Sequence, residues 1–126
     1  MNAAQVVTSL PPELHYQGEP NDWVRMTRPG QRLHSFLEGL TIGPAGDLYL
    51  ADVPYGRIFR IDSDFKKWSE VVRYAGEPHG LAFASDGGLL IADYRRGILR
   101  ADLSTGGLSV VCGGYQGAPL DRKSVV

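Results

Sequence analysis

Gly39-Leu40-Thr41-Ile42-Gly43-Pro44-Ala45-Gly46-Asp47-Leu48-Tyr49-Leu50-Ala51-Asp52-Val53-Pro54-Tyr55-Gly56 returns forty-one residues later as Gly80-Leu81-Ala82-Phe83-Ala84-Ser85-Asp86-Gly87-Gly88-Leu89-Leu90-Ile91-Ala92-Asp93-Tyr94-Arg95-Arg96-Gly97. Seven of the 18 positions are identical, and after a one-residue slip Ile58, Arg60 and Asp62 match Ile98, Arg100 and Asp102. A period near 40 belongs to a propeller blade or a helical solenoid repeat. Gly or Pro cuts each unit about every ten residues, which leaves no interval for a stable helix. The pieces between are short and rich in branched and aromatic side chains. They read as four strands per unit: Leu40–Ile42, Leu48–Ala51, Arg57–Ile61 and Trp68–Tyr74, then Leu81–Ala84, Leu89–Ala92, Ile98–Ala101 and Leu108–Cys112. Ser85-Asp86-Gly87-Gly88 and Pro44-Ala45-Gly46-Asp47 carry hairpin-turn chemistry.

Four antiparallel strands at this period make a β-propeller blade, so the expected fold class is all-β, a partial propeller. Closed propellers need about four to eight blades. Residues 38–120 supply two, 38–78 and 79–120. Residues 1–37, interrupted by Pro11-Pro12, Pro20 and Pro29-Gly30, read as an N-terminal arm in which Trp23–Thr27 is a strand. Such a strand either completes a last blade or packs as a surface arm on the first.

The remainder of the 126 residues bounds the function. Thirteen Lys and Arg against 14 Asp and Glu leave a net charge of -1, which excludes a generic nucleic-acid or polybasic membrane surface. No apolar run approaches the roughly 20 residues that span a bilayer, and no basic start leads an apolar stretch. The expectation is a soluble, cytoplasmic protein. The single cysteine, Cys112, reads as a small buried apolar side chain in a strand.

In a propeller the first strand of each blade lines the central channel, so residues at its start converge from successive blades. Glu38 opens the first unit and His79 stands at the same position in the second. A carboxylate and an imidazole both bind divalent metals and both serve acid/base chemistry near neutral pH. The competing reading makes Glu38 a solvated channel carboxylate and His79 a turn residue after Pro78. Asp52 and Asp93 recur at the end of the second strand and read as turn-capping carboxylates bonded to nearby amides. Tyr55 and the pair Arg95-Arg96 read as hairpin tips, solvated or selecting a substrate. His15 and His34 lie outside the repeats and receive no role. GxSxG, CxxC, HExxH and phosphate-loop signatures are absent from the sequence.

Ser35-Phe36-Leu37-Glu38-Gly39-Leu40, then Gly46-Asp47-Leu48-Tyr49-Leu50-Ala51-Asp52 and Gly56-Arg57-Ile58, resemble the gluconolactonase and regucalcin family of six-bladed, senescence-marker-protein-like propellers. The likeness extends over both units, the second of which also resembles NHL-type repeats. It implies a hydrolase of sugar lactones and related esters that uses one divalent cation, calcium or zinc, held by Glu, Asn and Asp side chains. The family's opening glutamate maps onto Glu38; Leu40 replaces its usual proline; the remaining ligands come from later blades. The resemblance further implies metal polarisation of the lactone carbonyl.

In that family a stretch like Tyr115-Gln116-Gly117-Ala118-Pro119-Leu120 leads into Asn-Arg-Pro-Asn-Asp, which opens a third blade. Here Asp121-Arg122-Lys123-Ser124-Val125-Val126 follows, the translation of GAT CGG AAG AGC GTC GTG, the start of a widely used sequencing adapter. The expectation is a reading frame cut near Leu120 with a non-native tail at 121–126. Three functional readings remain open: an N-terminal fragment of a metal-dependent sugar-lactone hydrolase, a non-enzymatic NHL-like binding propeller, or a piece inactive by itself. Such a piece would bind no metal tightly and would self-associate through unpaired blade faces.

Overall fold

The structure is a computed structural model that describes residues 4–113, so the expected tail at 121–126 lies outside the described residues. Eight strands follow one another: β1 (Leu37–Ile42), β2 (Leu48–Asp52), β3 (Arg57–Ile61), β4 (Trp68–Arg73), β5 (Pro78–Phe83), β6 (Leu89–Asp93), β7 (Gly97–Asp102) and β8 (Gly107–Cys112). They form two four-stranded sheets in sequential order, β1 to β4 and β5 to β8. Every neighbouring pair is antiparallel. Between β1 and β8 the described chain holds no helix beyond the single 3-10 turn Val53–Tyr55. The fold is all-β, two blades of a partial propeller.

Strand alternation sets how the blades stack. Tyr49, Ala51, Ile58 and Val72 lie on one face of the first blade and pack with Leu89, Ile91, Leu99 and Ala101 of the second. Tyr49 meets Phe83 edge-on across this interface, with ring centroids 4.9 Å apart. The repeat equivalents of those second-blade residues, Leu48, Leu50, Phe59 and Ile61, lie on the opposite face of the first blade. One blade's forward face therefore meets the next blade's rear face, a head-to-tail arrangement.

The first blade's rear face is covered by the arm, residues 4–36. Phe59 and Ile61 are buried there, and so is Leu10 of the arm. Trp68 Nε1 donates to Thr8 Oγ1 at 2.8 Å, and Arg57 donates from its two terminal nitrogens to the carbonyls of Leu14 at 2.7 Å and His34 at 3.2 Å. The arm's Trp23–Thr27, expected as a strand, lies within α1 (Asp22–Thr27). Asn21 caps it, accepting from the Val24 amide at 3.1 Å, and Val24 is fully buried. A cap and one buried apolar contact outweigh the β preference of Trp and Val.

Gly56 and its repeat equivalent Gly97 adopt φ of 62° and 85° at the β2–β3 and β6–β7 turns. A methyl group there would meet the Tyr74 or Cys112 carbonyl oxygen at 1.8 or 2.0 Å, so glycine is required twice over. Cys112, expected to be buried, is exposed. Its strand β8 is the outermost of the second blade and is solvated along most of its length.

Candidate functional site

Both inner strands carry an extra residue near their start, Gly39 or Leu40 in β1 and His79 in β5, where the pairing with the second strand slips. At this point the two blades approach each other closely. A methyl group on Gly39 would lie 3.0 Å from the His79 carbonyl oxygen and 3.2 Å from the Gly80 Cα. The register that sequence assigns to Glu38 and His79 is thus a junction of inner strands. Glu38 stands opposite Ala51, half-buried, and its carboxylate makes no hydrogen bond or ion pair among the described residues. The His79 imidazole stacks on Tyr94 at 3.8 Å and 14°.

Asp52 and Asp93 close the same end of the second strands, and both are fully buried. Each accepts from the backbone amide that precedes its own inner strand, Phe36 at 2.8 Å and Glu77 at 2.9 Å. Asp93 also accepts from the amides of Arg95 and Arg96 at 2.7 and 2.8 Å and from the Tyr74 hydroxyl at 2.6 Å. It caps its turn as expected.

Asp52 does not, because Arg57 takes its free oxygen with bonds of 2.8 and 2.7 Å in a pair shielded from solvent. Burial supplies the motive: a carboxylate removed from water must be paired or fully hydrogen-bonded. The two Asp–inner-strand bonds hold the openings of β1 and β5 in register, which makes these residues supports of the Glu38 position.

Tyr55, expected at a solvated tip, is half-buried: its ring stacks on Tyr16 at 3.7 Å and its hydroxyl donates to the Leu33 carbonyl. Burial, with the Asp52 charge adding to it, pushes its phenol up to about 12. Burial and the bond to Asp93 likewise raise the Tyr74 phenol well above its ordinary value. Arg95 and Arg96 are exposed, as expected. His15 and His34, given no role by sequence, stack on each other at 3.8 Å and 7° in the arm. Sequence reasoning did not bring Tyr16, Trp23, Tyr74 and Glu77 to this end of the molecule. They come from the arm, its short helix and the inter-blade segment, with no common spacing.

No family profile and no curated protein matches the chain. A solved structure does match: catalytically inactive virginiamycin B lyase from Staphylococcus aureus, a β-propeller, with quinupristin. The likeness has a TM-score of 0.50 and 27% identity, over 60% of this chain and 26% of that one. This chain is part of a propeller. It spans about a quarter of that lyase's length. No helix among the described residues is long and apolar enough to cross a membrane.

Proposed function

We propose that the chain forms the opening two blades of a metal-dependent sugar-lactone hydrolase of the gluconolactonase type, with Glu38 as one ligand to calcium or zinc and a small lactone or ester as substrate. The observation that supports this is the state of Glu38. Asp52 and Asp93, the other acids that the repeat carries inward, are consumed by structural bonds. Glu38 is half-buried at the inner-strand junction and keeps the full acceptor capacity of its carboxylate.

The described residues do not by themselves fit the ion, because no three His, Cys, Asp or Glu side chains among them converge. Calcium takes six to eight oxygens, and catalytic zinc about three protein ligands. The activity is therefore proposed for a longer parent, and the 126-residue chain is expected to be inactive.

The likeness to a lyase favours an enzyme over an NHL-like binding module, and it supports a second reading in which the parent opens its substrate by elimination. Products separate the two: hydrolysis places one oxygen from labelled water in the acid, whereas elimination leaves a carbon–carbon double bond and takes up no water.

The deciding experiment is a pH-indicator assay over a panel of sugar lactones, with and without chelator. It compares this chain, the parent extended in frame beyond Leu120, and the parent carrying Glu38→Gln. The expected result is chelator-sensitive hydrolysis by the parent that is mostly lost in the variant. Undiminished activity in Glu38→Gln removes Glu38 from the site, activity that chelator leaves unchanged overturns the metal-dependent reading, and no turnover by the parent favours the binding module.

A further inference from the structure

Two stretches of the arm, residues 14–16 and 33–35, run side by side, and the Tyr16 amide donates to the His34 carbonyl at 2.9 Å. Their side chains meet in the His15–His34 stack, with ring centroids 3.8 Å apart and planes within 7°. His15 Nε2 donates to the Leu10 carbonyl at 3.1 Å, and His34 Nδ1 bonds the Ser35 hydroxyl at 2.8 Å. The same two stretches supply the Leu14 and His34 carbonyls that Arg57 grips from β3. The stack therefore sits on the clamp that ties the arm to the first blade.

Stacked imidazoles are compatible while at most one of them is charged. An imidazole ordinarily takes up its proton at about pH 6.5. Two protonated rings face to face at this distance repel by an amount that changes an equilibrium about fivefold even in water-like surroundings. His15 is half-buried, which makes that figure a lower limit.

The groups around the pair do not offset this repulsion. Arg57 from β3 and Arg32 from the arm are themselves cations, and Arg32 lines the same small pocket as both histidines. The acids Asp52, at the end of β2, and Glu19, in the arm, are already paired with Arg57 at 2.7 Å and with Arg32 at 3.1 Å. Tyr16 stacks on Tyr55. Separation of the rings relieves the repulsion and draws the Leu14 and His34 carbonyls away from Arg57.

We propose that the His15–His34 stack is an acid-sensitive latch on the arm: protonation of both rings parts the two stretches, releases residues 4–36 from the first blade and uncovers Phe59 and Ile61. Docking is fully present above the imidazole range and weakens as pH falls through it. The latch uses neither Glu38 nor a metal, so it stands or falls separately from the hydrolase reading.

Thermolysin cleavage within residues 4–36 of the 126-residue chain reads the released population once it is divided by the rate on a free peptide of those residues at the same pH. Between about pH 7.5 and about pH 5.5 this ratio should rise at least about fivefold, while the blades remain uncut. His34→Phe keeps an aromatic ring against His15 but cannot carry the second charge. His15→Gln removes the other charge and retains a donor for the Leu10 carbonyl. Both variants should resist at either pH, with a rise below about twofold. If one variant is already cut at the higher pH, the other decides; if both are, the rings are a packing contact and the latch is overturned. A rise that persists in a variant assigns acid release elsewhere, first to Asp52, whose carboxyl burial pushes above its ordinary range, and overturns the proposal. A native chain that resists equally at both pH values overturns it as well.

Discussion

Asp52 and Asp93 occupy one repeat position and share one bond to the inner strand, yet their remaining oxygens serve different ends. Asp93 holds a turn, and Asp52 neutralises a buried guanidinium that itself grips the arm. Asp52→Asn keeps the size but leaves the Arg57 charge buried without its counter-ion. The expected loss is about 3–5 kcal/mol, read from the urea midpoint, with much of it regained when Arg57→Met removes the charge as well. Tyr55 makes a prediction in pH. Its phenol titrates at about 12 in the fold against an ordinary 10, so between those values the unfolded chain loses its proton first. Stability contributed by the neutral phenol is therefore present below pH 10 and falls as pH rises toward 12. Tyr55→Phe should flatten that alkaline decline, as measured by thermal unfolding across the window.

At the scale of elements, the repeat made eight strands legible because glycine and proline punctuate it and the apolar residues alternate between the punctuation. The glycines carry more than punctuation: Gly97→Ala combines an unfavourable φ with a carbonyl clash at 2.0 Å and should cost about 2 kcal/mol or more in the same urea titration. The arm was less legible. Its six-residue helix depends on a cap at Asn21 and on Val24 finding cover, and only the first leaves a mark in the sequence. Arg57 did leave a signal, an arginine across the β2–β3 hairpin from Asp52, but which acid it neutralises and that it reaches the arm are tertiary facts. Losing its bonds to Leu14 and His34 should loosen residues 4–36. Limited proteolysis of Arg57→Met is expected to cut within that segment well before the blades, whereas the native chain resists at both.

At the scale of the whole molecule, the inner-strand junction was legible from the spacing of Glu38 and His79, whereas the His15–His34 stack was not, because its rings come from two stretches of the arm that share no spacing with the repeat. Among the described residues nothing covers the second blade's forward face, where Gly80, Ala82, Leu90, Ala92 and Ile98 line a shallow apolar depression. The equivalent surface of the first blade is buried under the second. A second copy of the chain is the expected occupant of this surface in the isolated protein.

What the arm does to such association follows from symmetry. Two open ends of opposite kind would let copies add head to tail beyond two, into a ring where the rotation between copies closes and into a filament where it does not. With Phe59 and Ile61 already under the arm, the described residues present one sticky end, and like must meet like across a two-fold axis. Sedimentation should therefore show a monomer–dimer equilibrium that stops at two, abolished by Leu90→Glu. Arg57→Met, by freeing the arm, should let larger species grow with concentration. The first thirty-odd residues then act as an assembly terminator: they decide whether an incomplete ring stops at a discrete pair or goes on taking up copies.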